Sequence, residues 1–544
     1  MILICSKLSI VRQQEGIAII FTLRTKQLPP GEVFLFALLL YPERSFFHLH
    51  LQNFNSCIPQ TCAVNKLRQR SLKKFDKRVS LNYIISDFQR EYIMSKSHFI
   101  WGTATSSYQI EGAVREGGRG VSIWDTFCRE PGRILDGSDG SVACDHYHRF
   151  QEDVKLIADL GCNGYRFSLS WPRILPDGTG KINPEGIAFY NRLIDTLLEY
   201  GITPFVTLYH WDLPQNCKYG WLNRETAKAF GEYAKICFDA FGDRVHNWMT
   251  LNESWCSAVL GYGLNVFAPG IQDPHLPYIA AHNLLLAHGF AVQKFRDGGY
   301  SGEIGIANNC DWREPLTCDP QDLEASERAL QFFYGWYTDP LFTGNYPELM
   351  RSRLGKRLPE FSSDEKKMLI GSTDFLGLNH YTSSYVSGYP PQNTENEVVG
   401  NGGLSDDQEV YLIPIPGCQK TNMNWAIVPW GLRKLLNWIA RRYQNPPVYI
   451  TENGCAAPEP DEESAKNDTM RQKYLLDYIT EAMKAKNEDK VDLRGYFCWT
   501  LLDNFEWTSG YLRHFGLVRC TPEKLERIPK GSYYTYKNII KNNG

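Results

Sequence analysis

The chain has 544 residues, 43% of them hydrophobic, and a formal net charge of −3 at pH 7. This length allows a large core, in one big domain or in several smaller ones. The near-neutral charge gives no support to a nucleic-acid partner or to a membrane-surface role, so neither is expected. Aromatic residues make up 13% of the chain. Most of these rings are expected in the core, and the others suit a neutral ligand with apolar C–H faces.

The 15 cysteines include no CxxC pair, and several lie inside apolar runs, so free buried thiols are predicted. Free thiols favour a reducing compartment. The longest apolar run, residues 33–41, has nine residues, whereas a spanning helix needs roughly 18 or more. A cytoplasmic location is therefore expected if translation starts at Met94.

Residues 1–93 differ from the rest of the chain. They show no sustained helical or strand period, and they carry a basic run at 66–78. We interpret them as an N-terminal extension outside the fold: a processed leader, a disordered tail, or sequence upstream of a true start at Met94. Residues 94–544 are then the folded domain.

From residue 99 onward, strand-like and helix-like runs alternate. Most strand-like runs are continuously apolar, which is typical of a parallel sheet that is covered on both faces. The predicted strands are 99–103, 164–169, 203–209, 247–251, 303–308, 374–380, 448–451 and 495–500. The predicted helices are 146–160, 184–200, 224–241, 278–296, 323–337, 430–443, 470–486 and 533–541. The second helix has Asn183 as its N-cap, Pro184 at its first position and Gly201 at its end.

Eight strands, each followed by a helix, predict a single (β/α)8 TIM barrel of the α/β class with long active-site loops. Two shorter α/β domains are the alternative, but no Pro/Ser-rich linker divides the region. Residues 384–424 have little pattern and are rich in Gly, Pro and Asn, and they are too long for a plain connector. We predict that they form a functional loop over the barrel mouth.

Two glutamates stand at the ends of apolar strand-like runs, each beside an asparagine. Glu253 follows Asn252, and Glu452 precedes Asn453. Burial disfavours an ionised carboxylate unless partners compensate for it. Carboxylate pairs of this kind cleave glycosidic bonds. The alternative is a pair of structural glutamates held in salt bridges at the barrel edge.

Active sites of such barrels lie at the carboxyl ends of the strands. Seven of the predicted strands lead there into polar or aromatic clusters. These clusters begin at or contain Gln109, Arg166, His210, Glu253, Asn379, Glu452 and Trp499.

The segments FIWGTATSSYQIEG (residues 99–112) and ITENG (residues 450–454) resemble the signatures of glycoside hydrolase family 1, the β-glucosidase family. The resemblance extends from residue 99 to about residue 517. It implies a (β/α)8 barrel and a retaining mechanism, with Glu452 as the nucleophile and Glu253 as the acid/base. It also implies that Arg166 and Tyr381 flank the nucleophile, and it implies no metal and no organic cofactor.

The same resemblance implies a substrate-binding set around the non-reducing sugar. Its members are Gln109, His210, Trp211, Asn252, Asn379, Trp499, Glu506, Trp507 and Phe515. Two positions depart from the family pattern: Ser254 stands where proline is common, and His514 where arginine is frequent. We expect the Ser254 side chain to point away from the chemistry, and His514 to affect only loop packing.

The sequence thus predicts a retaining β-glycosidase that hydrolyses terminal non-reducing β-D-glucosyl residues of small glucosides or oligosaccharides through a covalent glycosyl-enzyme. β-Galactosides and β-fucosides are further expected substrates. A 6-phosphoglucoside preference is disfavoured because Glu506 would repel the phosphate, and a thioglucosidase because residue 253 is not glutamine. A non-catalytic binding barrel is the alternative from another class. The aglycone choice is assigned to loops 384–424 and 267–278, and the oligomeric state stays open.

Overall fold

The computed structural model describes residues 99–390 and 405–543, together with the backbone of four strands between residues 3 and 50. The chain divides into two units, Met1–Lys96 and Ser97–Gly544, close to the expected boundary at residue 94. In the first unit the four strands form one sheet, although the sequence there shows no sustained period. They are β1 (Leu3–Gln13), β2 (Gly16–Thr25), β3 (Phe34–Leu40) and β4 (His48–His50). The interpretation of residues 1–93 as a processed, disordered or upstream segment stays a prediction.

Eight parallel strands of the second unit close into a barrel. Their bounds are β5 (Ile100–Ala104), β6 (Gly164–Ser168), β7 (Thr203–Tyr209), β8 (Asn247–Asn252), β9 (Glu303–Asn309), β11 (Leu376–Asn379), β14 (Val448–Asn453) and β15 (Leu493–Trp499). Around the barrel they follow the order β11-β14-β15-β5-β6-β7-β8-β9. Each corresponds to one of the predicted strands, so the predicted (β/α)8 architecture is confirmed.

The helices follow the predicted order, with short extra helices in the loops. The longer helices that cover the barrel are α3 (His146–Leu160), α5 (Pro184–Glu199), α6 (Arg224–Phe241), α7 (Leu276–Asp297), α8 (Pro320–Leu330), α9 (Trp336–Thr343), α13 (Pro429–Arg442), α15 (Thr469–Asn487) and α16 (Gly531–Asn543). The short helices are α1 (Ser107–Ile110), α2 (Ile123–Phe127), α4 (Trp171–Ile174), α10 (Glu348–Leu354), α11 (Ser363–Leu369), α12 (Ser405–Gln408) and α14 (Glu462–Asn467).

One predicted helix is interrupted. The sequence indicates a single helix over residues 323–337, whereas the chain forms α8, a π-helical turn at Gln331–Gly335, and then α9. The helix predicted over residues 184–200 is present as α5. Its predicted N-cap is confirmed, because the Asn183 side chain accepts a hydrogen bond from the Glu185 amide.

Apolar side chains fill the barrel from the inside and bury its outer surface under the helices. The interior cluster includes Phe205, Met249, Phe375, Tyr449 and Phe497. Strand residues are buried along their whole length in β6 and β14. This burial on both faces explains why the strands read as continuous apolar runs.

A small sheet beside the loop predicted at residues 384–424 was not predicted from the sequence. It contains β10 (Trp312–Pro315), β12 (Ser383–Ser387) and β13 (Tyr411–Ile413), and residues 391–404 lie outside the described residues. A further pair, β16 (Val518–Arg519) and β17 (Ile528–Pro529), follows the last barrel strand.

The sequence also led to predictions about the cysteines and about membrane-spanning helices. Every cysteine whose side chain is described is a free thiol. Among the described residues, no helix is both long enough and apolar enough to cross a membrane.

Candidate active site

Glu253 and Glu452 come together at the carboxyl end of the barrel. Glu253 directly follows β8, and Glu452 is the second-to-last residue of β14. Asn379, the last residue of β11, is paired in register with Glu452. Gly454 lets the chain pass close to β15 here, because a Cβ at this position would overlap the carbonyl oxygen of Trp499.

Glu452 is held by two strong donors. Arg166 Nη1 donates to Glu452 Oε1 at 2.5 Å, and the Tyr381 hydroxyl donates to Glu452 Oε2 at 2.6 Å. The Arg166 side chain is itself fixed by Asn252 Oδ1 and by Thr207 Oγ1. Both carboxyl oxygens of Glu452 therefore face donors, which favours the ionised form.

Glu253 has weaker partners and a strained backbone. Asn379 Nδ2 donates to Glu253 Oε1 at 2.8 Å, and the Cys256 thiol donates to Glu253 Oε2 at 3.2 Å. The φ angle of Glu253 is 48°, in the left-handed region. This conformation costs on the order of 1 kcal/mol for a residue with a Cβ and is most often kept at functional sites.

The two carboxyls differ in their tendency to ionise. Burial and the charge of Glu452 raise the pKa of Glu253 to about 8. Burial also raises the pKa of Glu452, but Arg166 and the hydrogen bonds from Tyr381 and Asn379 oppose it. Glu452 therefore loses its proton first, and at neutral pH Glu253 is the protonated member of the pair. Burial is the largest of these effects on Glu452, so its pKa is still raised above the ordinary value.

An aromatic and amide wall stands beside the carboxyl pair. His210 Nε2 lies 3.0 Å from Asn252 Nδ2, and the His210 ring stacks against Trp499 and Trp507 at 5.8 and 6.0 Å between ring centroids. Trp211 Nε1 donates to the Asn252 carbonyl oxygen. Burial lowers the pKa of His210 well below its ordinary value, so the ring is neutral.

Glu506 is the third carboxyl in the pocket. Gln109 Nε2 lies 3.4 Å from Glu506 Oε2 and also donates to the Asn504 side chain. Burial and the charges of Glu452 and Glu253 raise the pKa of Glu506 to about 8. Glu506 is therefore mostly neutral at pH 7 and can both donate and accept hydrogen bonds.

A cavity of about 400 Å³ opens above these residues. Except for Gln109, Arg166 and Asn252, all the site residues predicted from the sequence line it. Each of those three contacts a lining residue: Gln109 contacts Glu506, Arg166 contacts Glu452, and Asn252 contacts His210. Phe515 contacts Tyr381 edge-on at 6.0 Å between ring centroids. The structure thus brings the whole predicted set to one place, while the roles assigned to its members stay predictions.

The sequence missed several lining residues. Trp425 packs against Tyr381 at 5.5 Å between ring centroids. Asn309, at the end of β9, donates to the sulfur of Cys256 at 3.4 Å. Cys256 stands three residues after Glu253, and this spacing was the only feature of the sequence that could have indicated its contact with Glu253. Trp425 directly follows the patternless stretch 384–424, and nothing in the sequence pointed to its place in the cavity wall.

Ser254 and His514, the two positions that depart from the family pattern, both fit into the fold away from the carboxyl pair's polar contacts. Ser254 is buried, and its hydroxyl has no hydrogen-bond partner among the described atoms, so it makes no polar contact with the carboxyl pair. His514 Nδ1 lies 3.3 Å from Glu459 Oε2. Burial lowers the pKa of His514, but the hydrogen bond to Glu459 and nearby negative charge outweigh it, and the net shift is upward.

Comparisons with known proteins agree with one another. Residues 92–544 match the family model described as Glycosyl hydrolase family 1. β-Glucosidase 42 of Arabidopsis thaliana is 46% identical over 462 residues, which cover 82% of this chain and 94% of that protein. A rice β-glucosidase mutant, solved in a covalent complex with Glc from GA4GE, is 43% identical with a TM-score of 0.77, covering 81% of this chain and 98% of the rice chain. The β-glucosidase of Thermotoga maritima in complex with galacto-hydroximolactam is 45% identical with a TM-score of 0.75, covering 82% and 98%.

Proposed function

The chain belongs to glycosyl hydrolase family 1, and on that premise we propose that Glu452 and Glu253 are the nucleophile and the acid/base of a retaining β-glucosidase. The enzyme removes the terminal non-reducing β-D-glucosyl residue of a small glucoside or oligosaccharide. The unequal surroundings of the two carboxyls carry the assignment. Glu452 faces a guanidinium and a phenol, whereas Glu253 faces an amide and a thiol.

In the first step the ionised Glu452 attacks the anomeric carbon of the glucosyl residue. The bond from that carbon to the aglycone oxygen breaks, and Glu253 gives its proton to that oxygen. The aglycone leaves as an alcohol, and glucose is held as an ester of Glu452. The covalent glucose complex of the rice relative supports an intermediate of this kind.

Esterification removes the negative charge of Glu452 and thereby lowers the pKa of Glu253. Glu253 then takes a proton from water, whose oxygen attacks the anomeric carbon and displaces Glu452. Glucose leaves with its configuration retained, and both carboxyls return to their starting state. The charge of one residue thus switches the other from acid to base.

Substrate placement follows from the walls of the cavity. We assign the glucosyl hydroxyls to Gln109, His210, Asn252 and Glu506, with Trp499 as the platform beneath the ring. Slower turnover of β-galactosides and β-fucosides is proposed for the same pocket, since the Thermotoga relative is complexed with galacto-hydroximolactam. We assign the aglycone to other residues that line the cavity, both aromatic and polar: Trp255, Asn309, Asp311, Phe333, Ile413 and Trp425.

The experiment replaces each carboxyl and compares leaving groups. We expect Glu452→Gln to lose roughly 10³-fold or more in kcat on an aryl β-glucoside. Glu253→Ala should slow 4-methylumbelliferyl glucoside far more than 2,4-dinitrophenyl glucoside, because only the first needs a proton on its leaving oxygen. Azide should restore turnover of the Glu253→Ala enzyme and yield a β-glucosyl azide.

Glu314→Gln is the matched control. Glu314 lies on β10, forms an ion pair with Lys434 and does not line the cavity. Loss of its charge should therefore leave the hydrolysis rates of both substrates unchanged. Near-normal activity of Glu452→Gln would disprove the nucleophile assignment. Equal slowing of both substrates by Glu253→Ala, without azide rescue, would contradict the acid/base assignment.

A further inference from the structure

Cys256 lies against the carboxyl that is proposed to move the proton. It begins a π-helical turn, Cys256–Leu260, which residues 253–255 separate from the end of β8. This turn and the left-handed φ of Glu253 direct the two side chains toward each other, and the sulfur lies 3.2 Å from Glu253 Oε2. Cys256 also lines the cavity and is 7% exposed.

The two carboxyl oxygens of Glu253 have different hydrogen-bond partners. Oε1 accepts from Asn379, whose own side-chain oxygen is fixed by a hydrogen bond from Thr451 Oγ1 at 2.6 Å. Asn379 is therefore locked as a donor, and Oε1 serves as an acceptor in both protonation states. The acid proton then belongs on Oε2, the oxygen that the Cys256 thiol contacts.

We propose that Cys256 is a positioning residue for Glu253, and that its thiol serves as a reversible partner of Oε2 as this oxygen gains and loses the catalytic proton. When Glu253 is ionised, the S–H group donates to Oε2. When Oε2 carries the proton, the thiol turns and sulfur faces it as a weak acceptor. The inference rests on the proposed acid/base role of Glu253.

A thiol suits this position better than a hydroxyl for a physical reason. Sulfur is both a weak donor and a weak acceptor, so neither state of Glu253 is held strongly, and the proton remains easy to transfer. Asn309 donates to the sulfur at 3.4 Å and orients it. Burial and the nearby carboxyls raise the pKa of Cys256 well above its ordinary value, so the thiol keeps its own proton throughout.

Other titratable groups also face Glu253. They are Glu452, Arg166, Tyr381 and Glu506, from four separate elements of the barrel. All of them remain in place when only residue 256 is changed. A change in the titration of Glu253 can then be traced to the lost or altered donor.

The test is the alkaline limb of kcat/KM for 4-methylumbelliferyl glucoside, which follows the protonated fraction of Glu253 in the free enzyme. Cys256→Ala removes a donor to the ionised form, so the limb should move to higher pH, by about 0.5 pH unit. Cys256→Ser supplies a stronger donor to the ionised form, so the limb should move to lower pH. Opposite shifts are not expected from a change in packing alone.

Cys237→Ala is the matched control, since Cys237 is a buried thiol of α6 that does not line the cavity. Its limb should coincide with that of the unaltered enzyme. Unshifted limbs in both Cys256 variants, or equal shifts in one direction, would overturn the inference. Glu253→Ala, assayed with the dinitrophenyl substrate, separates this failure from that of the proposed function: persistence of the limb in that variant would show that Glu253 is not the group titrating.

Discussion

At the scale of single residues, the three carboxyls of the pocket behave differently because each has different neighbours. Arg166 and Tyr381 partly offset the effect of burial on the pKa of Glu452. Among the described residues, the Gln109 amide is the one side chain that lowers the pKa of Glu506, and this pKa rises to about 8. The sequence treats Glu506 as a fixed carboxylate that repels a phosphate. The structure indicates that this repulsion depends on pH.

Discrimination against a sugar phosphate should therefore grow as Glu506 ionises. We predict that the ratio of kcat/KM for an aryl β-glucoside to that for its 6-phosphate rises several-fold between about pH 6.5 and 8.5, because the carboxylate repels the phosphate. The titration of Glu253 affects both substrates alike and cancels in the ratio. Glu506→Gln cannot ionise, so its ratio should be flat across this range. A rise of equal size in that variant would contradict the prediction.

At the scale of secondary-structure elements, the sequence predicts the barrel strands but not the sheet beside the pocket. The barrel strands are buried on both faces and appear as continuous apolar runs. β10 (WREP) and β12 (SSYVS) contain polar residues and form no continuous apolar run, and β13 has only three residues. Their pairing joins residues far apart in the sequence, such as Val386 with Leu412.

The side chains of β13 alternate in environment, and this alternation predicts separate roles for neighbouring positions. Leu412 is buried in a small cluster with Val386 and only borders the cavity, whereas Ile413 is half-buried and lines the part of the cavity that we assign to the aglycone. Ile413→Ala should lower kcat/KM for 4-methylumbelliferyl glucoside by roughly tenfold relative to methyl β-glucoside, because an apolar contact with the bulky aglycone is lost.

Val386→Ala is the control for Ile413→Ala. It should lower the free energy of unfolding by about 2 kcal/mol, through lost packing, and leave the ratio between the two substrates unchanged. Chemical denaturation measures the first quantity, and steady-state kinetics the second. An unchanged substrate ratio in Ile413→Ala would show that β13 does not contact the aglycone.

At the scale of the whole molecule, the site depends on residues far apart in the chain that the barrel brings to one edge. The sequence predicts that convergence, because carboxyl ends of parallel strands meet on one face of a barrel. It does not predict the contact of Cys256 with Glu253, which needs the left-handed φ and the π turn. Nor does it predict the charge state of Glu506, which depends on burial and on carboxyls from two other strands.

The first barrel strand begins at Ile100, and every side chain assigned to the site lies after it. We therefore predict that a chain starting at Met94 keeps kcat/KM within about twofold and Tm within about 2 °C of the full chain. A chain starting at residue 105 is the control. It lacks β5, which pairs with β6 and β15, so the barrel cannot close and no cooperative unfolding transition should be seen. Calorimetry and aryl glucoside hydrolysis measure both variants, and a large loss in the longer one would show that residues 1–93 contribute to the fold.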